Sequence, residues 1–105
     1  MMSTYFLYIT TSDESEAERI GRRLVEEKLV ACVNILPEAK SIYRWEGKIE
    51  ENNESVIIGK TSSDLVDKVK ERVCELHSYD CPCVVAIEID KGNDEFINWI
   101  NSSVE

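Results

Sequence analysis

The stretch Ser41-Ile42-Tyr43-Arg44-Trp45-Glu46-Gly47-Lys48-Ile49-Glu50 alternates with a clean period of two. This period is typical of a β-strand, in which successive side chains point to opposite faces. Residues 51–54, Glu-Asn-Asn-Glu, predict a turn, and residues 55–61 predict the return strand. The alternation predicts one face with Tyr43, Trp45, Gly47 and Ile49, and an opposite face with Ile42, Arg44, Glu46, Lys48 and Glu50.

The hairpin predicted over residues 41–61 is long for a small domain. About ten residues a side, at roughly 3.3 Å per residue, extend about 33 Å. A sheet edge of this length, with Tyr43 and Trp45 in water, invites uncontrolled pairing unless something covers it. The residues alone leave two arrangements open. Either the hairpin adds to a neighbour's sheet in a closed oligomer, or it curls over its own sheet.

The remaining elements follow from hydrophobic periodicity and from helix and turn signals. Residues 5–10 predict a buried first strand, and residues 30–36 predict a second strand that ends at Pro37, whose ring cannot donate to a ladder. Capping residues at 12–16 precede a helix that runs to about Lys28. After the hairpin we expect a helix that ends before Pro82, with Leu65 or Val66, Val69, Val73 and Leu76 buried. A strand over residues 84–89 follows. The last element is a short helix over residues 95–102, with Phe96, Ile97, Trp99 and Ile100 available to cover the sheet.

This order of elements predicts an α+β fold. The succession β-α-β-β-α-β is the split βαβ arrangement of ferredoxin-like domains, a sandwich in which an antiparallel sheet carries both main helices on one face. It places the first and third strands in the centre and the second and fourth at opposite edges. At 105 residues the chain has the length of one compact domain. We therefore expect a single domain over residues 1–105, with an extended hairpin between the second and third strands and a short C-terminal helix.

Charge and hydropathy disfavour several kinds of partner. The formal charge of −9 argues against nucleic acid, which needs a basic surface. No apolar run approaches the roughly 20 residues that a membrane helix needs, so we expect no membrane partner. The first residues, from Met1 to Ile9, lack a basic region followed by a cleavage site. We therefore expect a cytoplasmic protein in a reducing compartment.

One histidine and four cysteines are the residues best suited to bind a soft metal ion. His77 lies near the end of the second helix, and Cys81 and Cys83 follow within a few residues. Imidazole and thiolate are the ligands that copper and zinc prefer, so this cluster is the best metal candidate in the chain. Cys32, on the second strand, belongs to the opposite edge of the sheet and can join the cluster only across a subunit boundary.

Each of these residues also has an ordinary structural interpretation. A histidine at the C-terminal end of a helix is favoured by the helix dipole without any ligand. Free cysteines, such as Cys32 and Cys74, commonly behave as small buried hydrophobic side chains. A disulfide from Cys74 to either Cys81 or Cys83 is a further alternative, if the compartment permits it.

Three stretches and the end of the chain carry a resemblance to a known family. They are Ala31-Cys32-Val33-Asn34-Ile35-Leu36-Pro37, Ser41-Ile42-Tyr43-Arg44-Trp45-Glu46-Gly47-Lys48-Ile49 and His77-Ser78-Tyr79-Asp80-Cys81-Pro82, with the ending Trp99-Ile100. They resemble the CutA family, which is associated with tolerance of copper and other divalent cations, and the resemblance covers the chain from about Tyr5 to Ile100. It implies a tightly interlocked homotrimer in which the hairpin reaches onto the adjacent subunit, an architecture similar to that of the PII signalling proteins.

The chain departs from the family's His-Pro-Tyr-Glu-x-Pro-Glu pattern at residues 77–83. Ser78 replaces the first proline, and Asp80 replaces the glutamate. Cys83 replaces the final acid, and Cys81 stands at the variable position. The loss of a carboxylate and the gain of two thiols shift any site from hard towards soft cations. The resemblance therefore implies copper or a similar divalent metal ion, without transferring the family's binding residues directly.

These features predict a trimeric, non-enzymatic protein that binds copper or similar metal ions. The alternative is a PII-like small-molecule sensor or adaptor with ligand clefts between subunits. Both functions are compatible with four residues of the hairpin, which can pack at the oligomer interface or line a pocket for a small polar molecule: Tyr43, Arg44, Trp45 and Glu46. An enzyme is disfavoured because no glycine-rich phosphate loop is present and one histidine cannot serve as both acid and base.

Overall fold

The computed structural model describes residues 3–105; Met1 and Met2, part of the segment considered above for a secretory signal, lie outside it. The strands are β1 (Thr4–Thr11), β2 (Cys32–Trp45), β3 (Lys48–Ser62) and β4 (Val84–Glu88). The helices are α1 (Glu14–Glu26), α2 (Val66–Leu76), which follows a 3-10 turn at Ser63–Leu65, and α3 (Asp94–Ser102). The strands form an antiparallel sheet in the order β2-β3-β1-β4. The predicted ferredoxin-like α+β fold, with β1 and β3 central, is confirmed.

The hydrophobic core lies between the sheet and the helices α1 and α2. The Asp13 side chain caps α1 by accepting a hydrogen bond from the Glu16 backbone N–H at 2.8 Å. Apolar residues then recur at helical spacing and face the sheet, and Val69 and Val73 of α2 are buried as predicted. The core cluster comprises Leu7, Ile9, Ala17, Ile20, Leu24, Val30, Ile57, Val69 and Val73.

The hairpin turn lies at Glu46 and Gly47, so the turn predicted at residues 51–54 was wrong. Trp45 pairs with Lys48, and the two residues between them have positive φ angles of 50° and 79°. Two central residues with positive φ are typical of a type I′ turn, whose twist matches that of the flanking strands. Residues 51–54 instead belong to β3 and pair with residues 39–42 of β2. Their polar character reflects exposure on both sides of a projecting hairpin.

β2 continues through Pro37, where the sequence predicted its end. A β-bulge between Leu36 and Ala39 accommodates the proline within the strand. Proline is tolerated at bulges and on edge strands, because its missing N–H then leaves the ladder intact. The buried Ser55 hydroxyl also donates a hydrogen bond to the Pro37 carbonyl at 2.7 Å. β2 is therefore one strand of 14 residues.

The observed register changes the composition of the two hairpin faces. Tyr43 pairs with Glu50 and Trp45 with Lys48, so these side chains share one face. Ile49 pairs with Arg44 and lies on the other face with Ile42. The prediction that placed Ile49 beside Tyr43 and Trp45 was wrong because it carried the alternation straight through a turn.

The outer part of the hairpin, residues 39–54, is here called the arm. β1 pairs with β3 only as far as Thr11, which lies opposite Ser55, so the arm projects beyond the rest of the sheet. At about 3.3 Å per residue it extends roughly 20 Å past β1. Ile42 and Ile49 on the arm are 62% and 64% exposed. The long hairpin is confirmed, and one of its faces carries uncovered aliphatic side chains.

Two further apolar surfaces are exposed. On α3, Ile100 is fully buried, but Phe96 and Trp99 are nearly half exposed and stack on each other with ring centroids 5.5 Å apart. Of the four residues predicted to be available to cover the sheet, Ile100 is thus buried, whereas the two rings are only partly covered, because the helix turns one stripe of side chains inward.

The second surface is the face of the sheet opposite the helices, here called the open face. It carries Tyr8, Val85 and Ile87, which alternate with inward-pointing residues and are exposed. Among residues 3–105, no helix is both long enough and apolar enough to cross a membrane.

Glu16 ties the start of α1 to the segment that follows α2. Its carboxylate accepts hydrogen bonds from the Ser12 N–H and hydroxyl, each at 2.9 Å, and from the Ser78 N–H at 2.8 Å. Arg19 lies 3.5 Å away. Burial alone raises the pKa of this carboxyl, but the hydrogen bonds from Ser12 and Ser78 outweigh it and lower the pKa to about 2. Glu16 is therefore a buried anion stabilised by its donors.

The turn geometry makes Gly47 sensitive to a branched side chain. A Cβ atom at this position meets no atom within 4 Å, so the cost of a substitution comes from the backbone conformation alone. We expect Gly47→Val to lower the free energy of unfolding by about 1–2 kcal/mol, because a β-branched residue is strained at positive φ. Gly47→Asn, which tolerates this conformation, is the matched control and should cost much less. Urea denaturation measures both, and equal losses would contradict the type I′ assignment.

The buried Glu16 carboxylate should make stability depend on acid pH. Because its pKa in the folded protein lies below the ordinary 4.5, its contribution is present above pH 4.5 and is lost as the pH falls towards 2. The full contribution is about 3 kcal/mol. We expect Glu16→Gln to be less stable at pH 7 and to show a shallower decline between about pH 5 and 2.

Urea unfolding across this pH range, at fixed protein concentration, measures the effect. Glu18→Gln, at an exposed position on the same helix, is the control and should retain the decline of the parent protein. An unchanged pH dependence in Glu16→Gln would show that Glu16 is not the responsible group.

Candidate functional site

Residues 77–83 form a short connection between α2 and β4, and it carries most of the predicted metal ligands. The connection is fastened at both ends. The His77 N–H donates to the Val73 carbonyl at 2.9 Å at the end of α2, and the Thr10 N–H donates to the Cys83 carbonyl at 3.4 Å. Between these points, the Ser78 N–H is held by Glu16. The segment is thus fixed against the C-terminal end of β1.

The His77 side chain is completely buried, and both of its ring nitrogens are occupied. Nδ1 accepts a hydrogen bond from the Tyr79 N–H at 3.0 Å, which assigns the proton of the neutral ring to Nε2. Nε2 in turn donates to the Thr10 carbonyl at 2.8 Å. Glu16 lies 3.9 Å from Nδ1. In this conformation His77 positions the connection, and binding of a metal would require it to give up one of these hydrogen bonds.

Cys81 and Cys83 are free and exposed, and both line an open groove of about 520 Å³ that runs along the arm. The groove therefore brings these two predicted ligands together with Tyr43 and Trp45. The arm supplies one wall of the groove, and the connection between α2 and β4 supplies the other. Its lining residues are Thr10, Tyr43, Trp45, Asn52, Glu54, Tyr79, Asp80, Cys81 and Cys83.

The other two cysteines lie elsewhere. Cys32 pairs with Lys60 at the start of β2, at the sheet edge opposite β4, and the Lys60 ammonium lies 3.9 Å from its sulfur. Cys74 is exposed on α2 and does not line the groove. Within residues 3–105, no group of three or more His, Cys, Asp or Glu side chains is arranged to hold a metal ion. One chain thus offers two thiols at the groove, and further ligands must come from elsewhere.

Tyr79 and Glu54 join the two walls of the groove. The Tyr79 hydroxyl donates to the Glu54 carboxylate at 2.7 Å. Burial, together with the hydrogen bond and negative charge of Glu54, raises the pKa of the Tyr79 phenol above its ordinary value. The phenol therefore remains a donor at every physiological pH, and the contact fixes the arm against the connection.

The hairpin geometry places the four arm residues predicted at an interface or pocket on different faces of the arm and in its turn. Tyr43 and Trp45 face the groove, and the Asn52 amide donates a hydrogen bond to the Tyr43 hydroxyl. Arg44 lies on the opposite face, and Glu46 lies in the turn.

Sequence reasoning missed Asn52 and Glu54, because it assigned residues 51–54 to a turn. Gly47 was the sequence signal for the true turn position. A two-residue turn there pairs Glu54 with Ala39, and the Glu54 side chain then lies on the same face as Tyr43.

Comparison with known proteins identifies the family. Residues 5–103 match the CutA1 divalent ion tolerance protein family. The divalent-cation tolerance protein CutA of Archaeoglobus fulgidus is 50% identical over 100 residues, which span 95% of this chain and 97% of that protein.

Solved structures agree with this result. The divalent cation tolerance protein of Thermus thermophilus has a TM-score of 0.95 at 41% identity, covering 97% of this chain and 99% of that one. The structure from Archaeoglobus fulgidus, described as a periplasmic protein, has a TM-score of 0.93 at 48% identity, with coverage of 97% and 99%. The chain therefore belongs to the CutA1 divalent ion tolerance family.

Proposed function

We propose that this protein is a homotrimer that binds copper or a similar divalent cation as its cargo, and that it acts by binding rather than by catalysis. The observation that carries the proposal is the pair of free thiols, Cys81 and Cys83, which open into the groove beside the Glu54 and Asp80 carboxylates. Thiolates favour soft ions such as copper, and the carboxylates add negative charge that attracts any cation.

The remaining ligands are proposed to come from a neighbouring subunit. Two thiols are fewer donors than a tightly held copper or zinc ion takes. Cys32 lies at the sheet edge opposite β4, so a neighbour's Cys32 is the proposed third thiol. His77 joins this set only in a conformation in which one ring nitrogen gives up its present partner, the Thr10 carbonyl or the Tyr79 N–H. In the conformation described above, His77 supports the thiols indirectly by positioning their segment.

Uncovered apolar surfaces support the trimer. The open face carries Ile87, which is 56% exposed, and the arm carries Ile42 and Ile49. Apolar side chains clustered in this way are commonly buried by association. In a closed trimer, each arm reaches a neighbour and covers both surfaces, with Tyr43, Arg44, Trp45 and Glu46 at or beside the interface. The free outer edges of β2 and β4 offer backbone groups for the same contact.

A cytoplasmic location is part of the proposal. The free thiols require a reducing environment to stay free, and the cytoplasm provides one. The relative from Archaeoglobus fulgidus is, by contrast, described as periplasmic.

The groove also favours a second function, that of a PII-like sensor of a small molecule. It lies between the arm and the body of the chain, where a trimer forms clefts between subunits. Its volume of about 520 Å³ is within the range of small-molecule sites.

Metal titration tests the first proposal. Calorimetry under anaerobic conditions should detect tight copper binding, weaker zinc binding and no magnesium binding, because thiolates discriminate against hard ions. The Cys81→Ser, Cys83→Ser double variant should lose at least about tenfold in copper affinity. Cys74→Ser is the matched control, since Cys74 is also exposed but lies outside the groove. A parent protein that binds copper no tighter than about 100 μM would rule the proposal out.

Light scattering tests the trimer. Three subunits of 12.0 kDa give an expected mass of about 36 kDa. Ile87→Asp on the open face should shift the mass towards 12.0 kDa, because it would place a charge in the proposed interface. Val25→Asp, which adds the same charge at an exposed apolar position on α1, should leave the mass unchanged. A parent protein that sediments or scatters as a monomer would contradict the proposal.

A further inference from the structure

The groove that runs along the arm, from Glu54 at its base to Trp45 beside the turn, has aromatic side chains that metal binding does not use. Tyr43 and Trp45 line it from the arm, and Tyr79 lines it from the connection between α2 and β4. A metal bound through thiols makes no use of three aromatic rings. Aromatic faces carry negative electrostatic potential and bind cations that are too large or too weakly hydrated to be held by carboxylates alone.

The same groove has acidic but no basic side chains. Glu54 and Asp80 line it, whereas its lining contains neither lysine nor arginine. Among residues 3–105, no basic side chain lies within 4.0 Å of either carboxylate. Their charge is therefore not neutralised by an ion pair. An anionic ligand such as a phosphate would meet repulsion here, and a cation would meet attraction.

The aromatic wall is also held in place before any ligand arrives. The Tyr79 ring packs against the His77 ring with centroids 4.6 Å apart, its N–H donates to His77 and its hydroxyl donates to Glu54. The Tyr43 hydroxyl is fixed by Asn52. A wall that is ordered in advance loses little side-chain freedom on binding, which favours affinity for a small ligand. Trp45 is the most exposed of the three side chains in the single chain. In the proposed trimer the groove is a cleft at the subunit boundary.

We propose that this groove binds a small organic ammonium ion, an amine that carries alkyl substituents or is quaternary. Three rings supply faces for the charged methyl or methylene groups, and Glu54 and Asp80 supply the compensating charge. The volume of about 520 Å³ suits a ligand of this size. The proposal goes beyond metal binding and gives the chemical class of ligand for the sensor function. It does not rest on the thiols.

Binding of choline measures the proposed recognition directly. Choline chloride is titrated against the parent protein by tryptophan fluorescence and by calorimetry, with potassium chloride at equal ionic strength as the salt control. The neutral carbon analogue of choline, 3,3-dimethyl-1-butanol, has nearly the same shape and lacks the charge. We expect saturable choline binding with a Kd below about 1 mM and at least fivefold weaker binding of the analogue.

Variants locate the site. Trp45→Leu should weaken choline binding by about five- to thirtyfold, and Asp80→Asn and Glu54→Gln should each weaken it severalfold. Trp99→Leu is the matched control, because Trp99 is an exposed tryptophan on α3, outside the groove, and choline affinity should not change. Circular dichroism and light scattering show whether each variant keeps its fold and mass. Trp45→Phe retains an aromatic ring at this position. It should keep part of the choline affinity even if Trp45→Leu disturbs the assembly.

The outcomes separate this proposal from the metal proposal. The Cys81→Ser, Cys83→Ser variant should lose at least about tenfold in copper affinity, whereas its choline affinity should change less than that of Trp45→Leu. Three outcomes would each overturn the ammonium site. The first is choline binding that vanishes with the thiols, and the second is equal affinity for choline and its neutral analogue. The third is the absence of saturable choline binding. Copper binding is measured in the same preparations, so either proposal can fail while the other stands.

Discussion

The register of β2 against β3 is the constraint on which the site depends. Trp45 opposite Lys48 sets every pair of the arm, including Tyr43 opposite Glu50 and Ala39 opposite Glu54. Because side chains alternate along a strand, a shift of one residue would move Tyr43 and Trp45 away from the groove and replace them with Ile42 and Arg44. The two-residue turn at Glu46 and Gly47 fixes this register with the twist that the strands need. The groove is thus a direct consequence of one turn.

The second wall of the groove depends on buried polar contacts instead of hydrophobic packing. Residues 77–83 contribute no residue to the hydrophobic core, yet they are held by Glu16, Thr10 and the carbonyl at the end of α2. A buried carboxylate is costly without donors, and here Ser12 and Ser78 provide them. His77 works in the same way, since its two nitrogens connect Thr10 to Tyr79. These contacts leave Cys81 and Cys83 exposed at the end of a fixed segment.

The two proposed ligands use different groups of one groove. A soft metal ion would use the thiols of Cys81 and Cys83, while an organic ammonium ion would use the rings of Tyr43, Trp45 and Tyr79. The carboxylates of Glu54 and Asp80 favour a positive charge in either case. Membership of the divalent ion tolerance family agrees with a cation as ligand, and the acidic charge of the chain agrees with it too.

The sequence by itself determined the fold class, the strand order and the long hairpin, because periods of 2 and 3.6 residues are local properties that the apolar residues record. It also identified Cys81 and Cys83 as candidate ligands on one segment. Only the tertiary structure decided the position of the turn, the passage of β2 through Pro37 and the faces on which Ile49 and Glu54 lie. It alone showed that His77 is buried with both nitrogens engaged. The reason is physical: pairing register and hydrogen-bond partners join residues far apart in the chain, and a local pattern carries no information about which distant group will meet it.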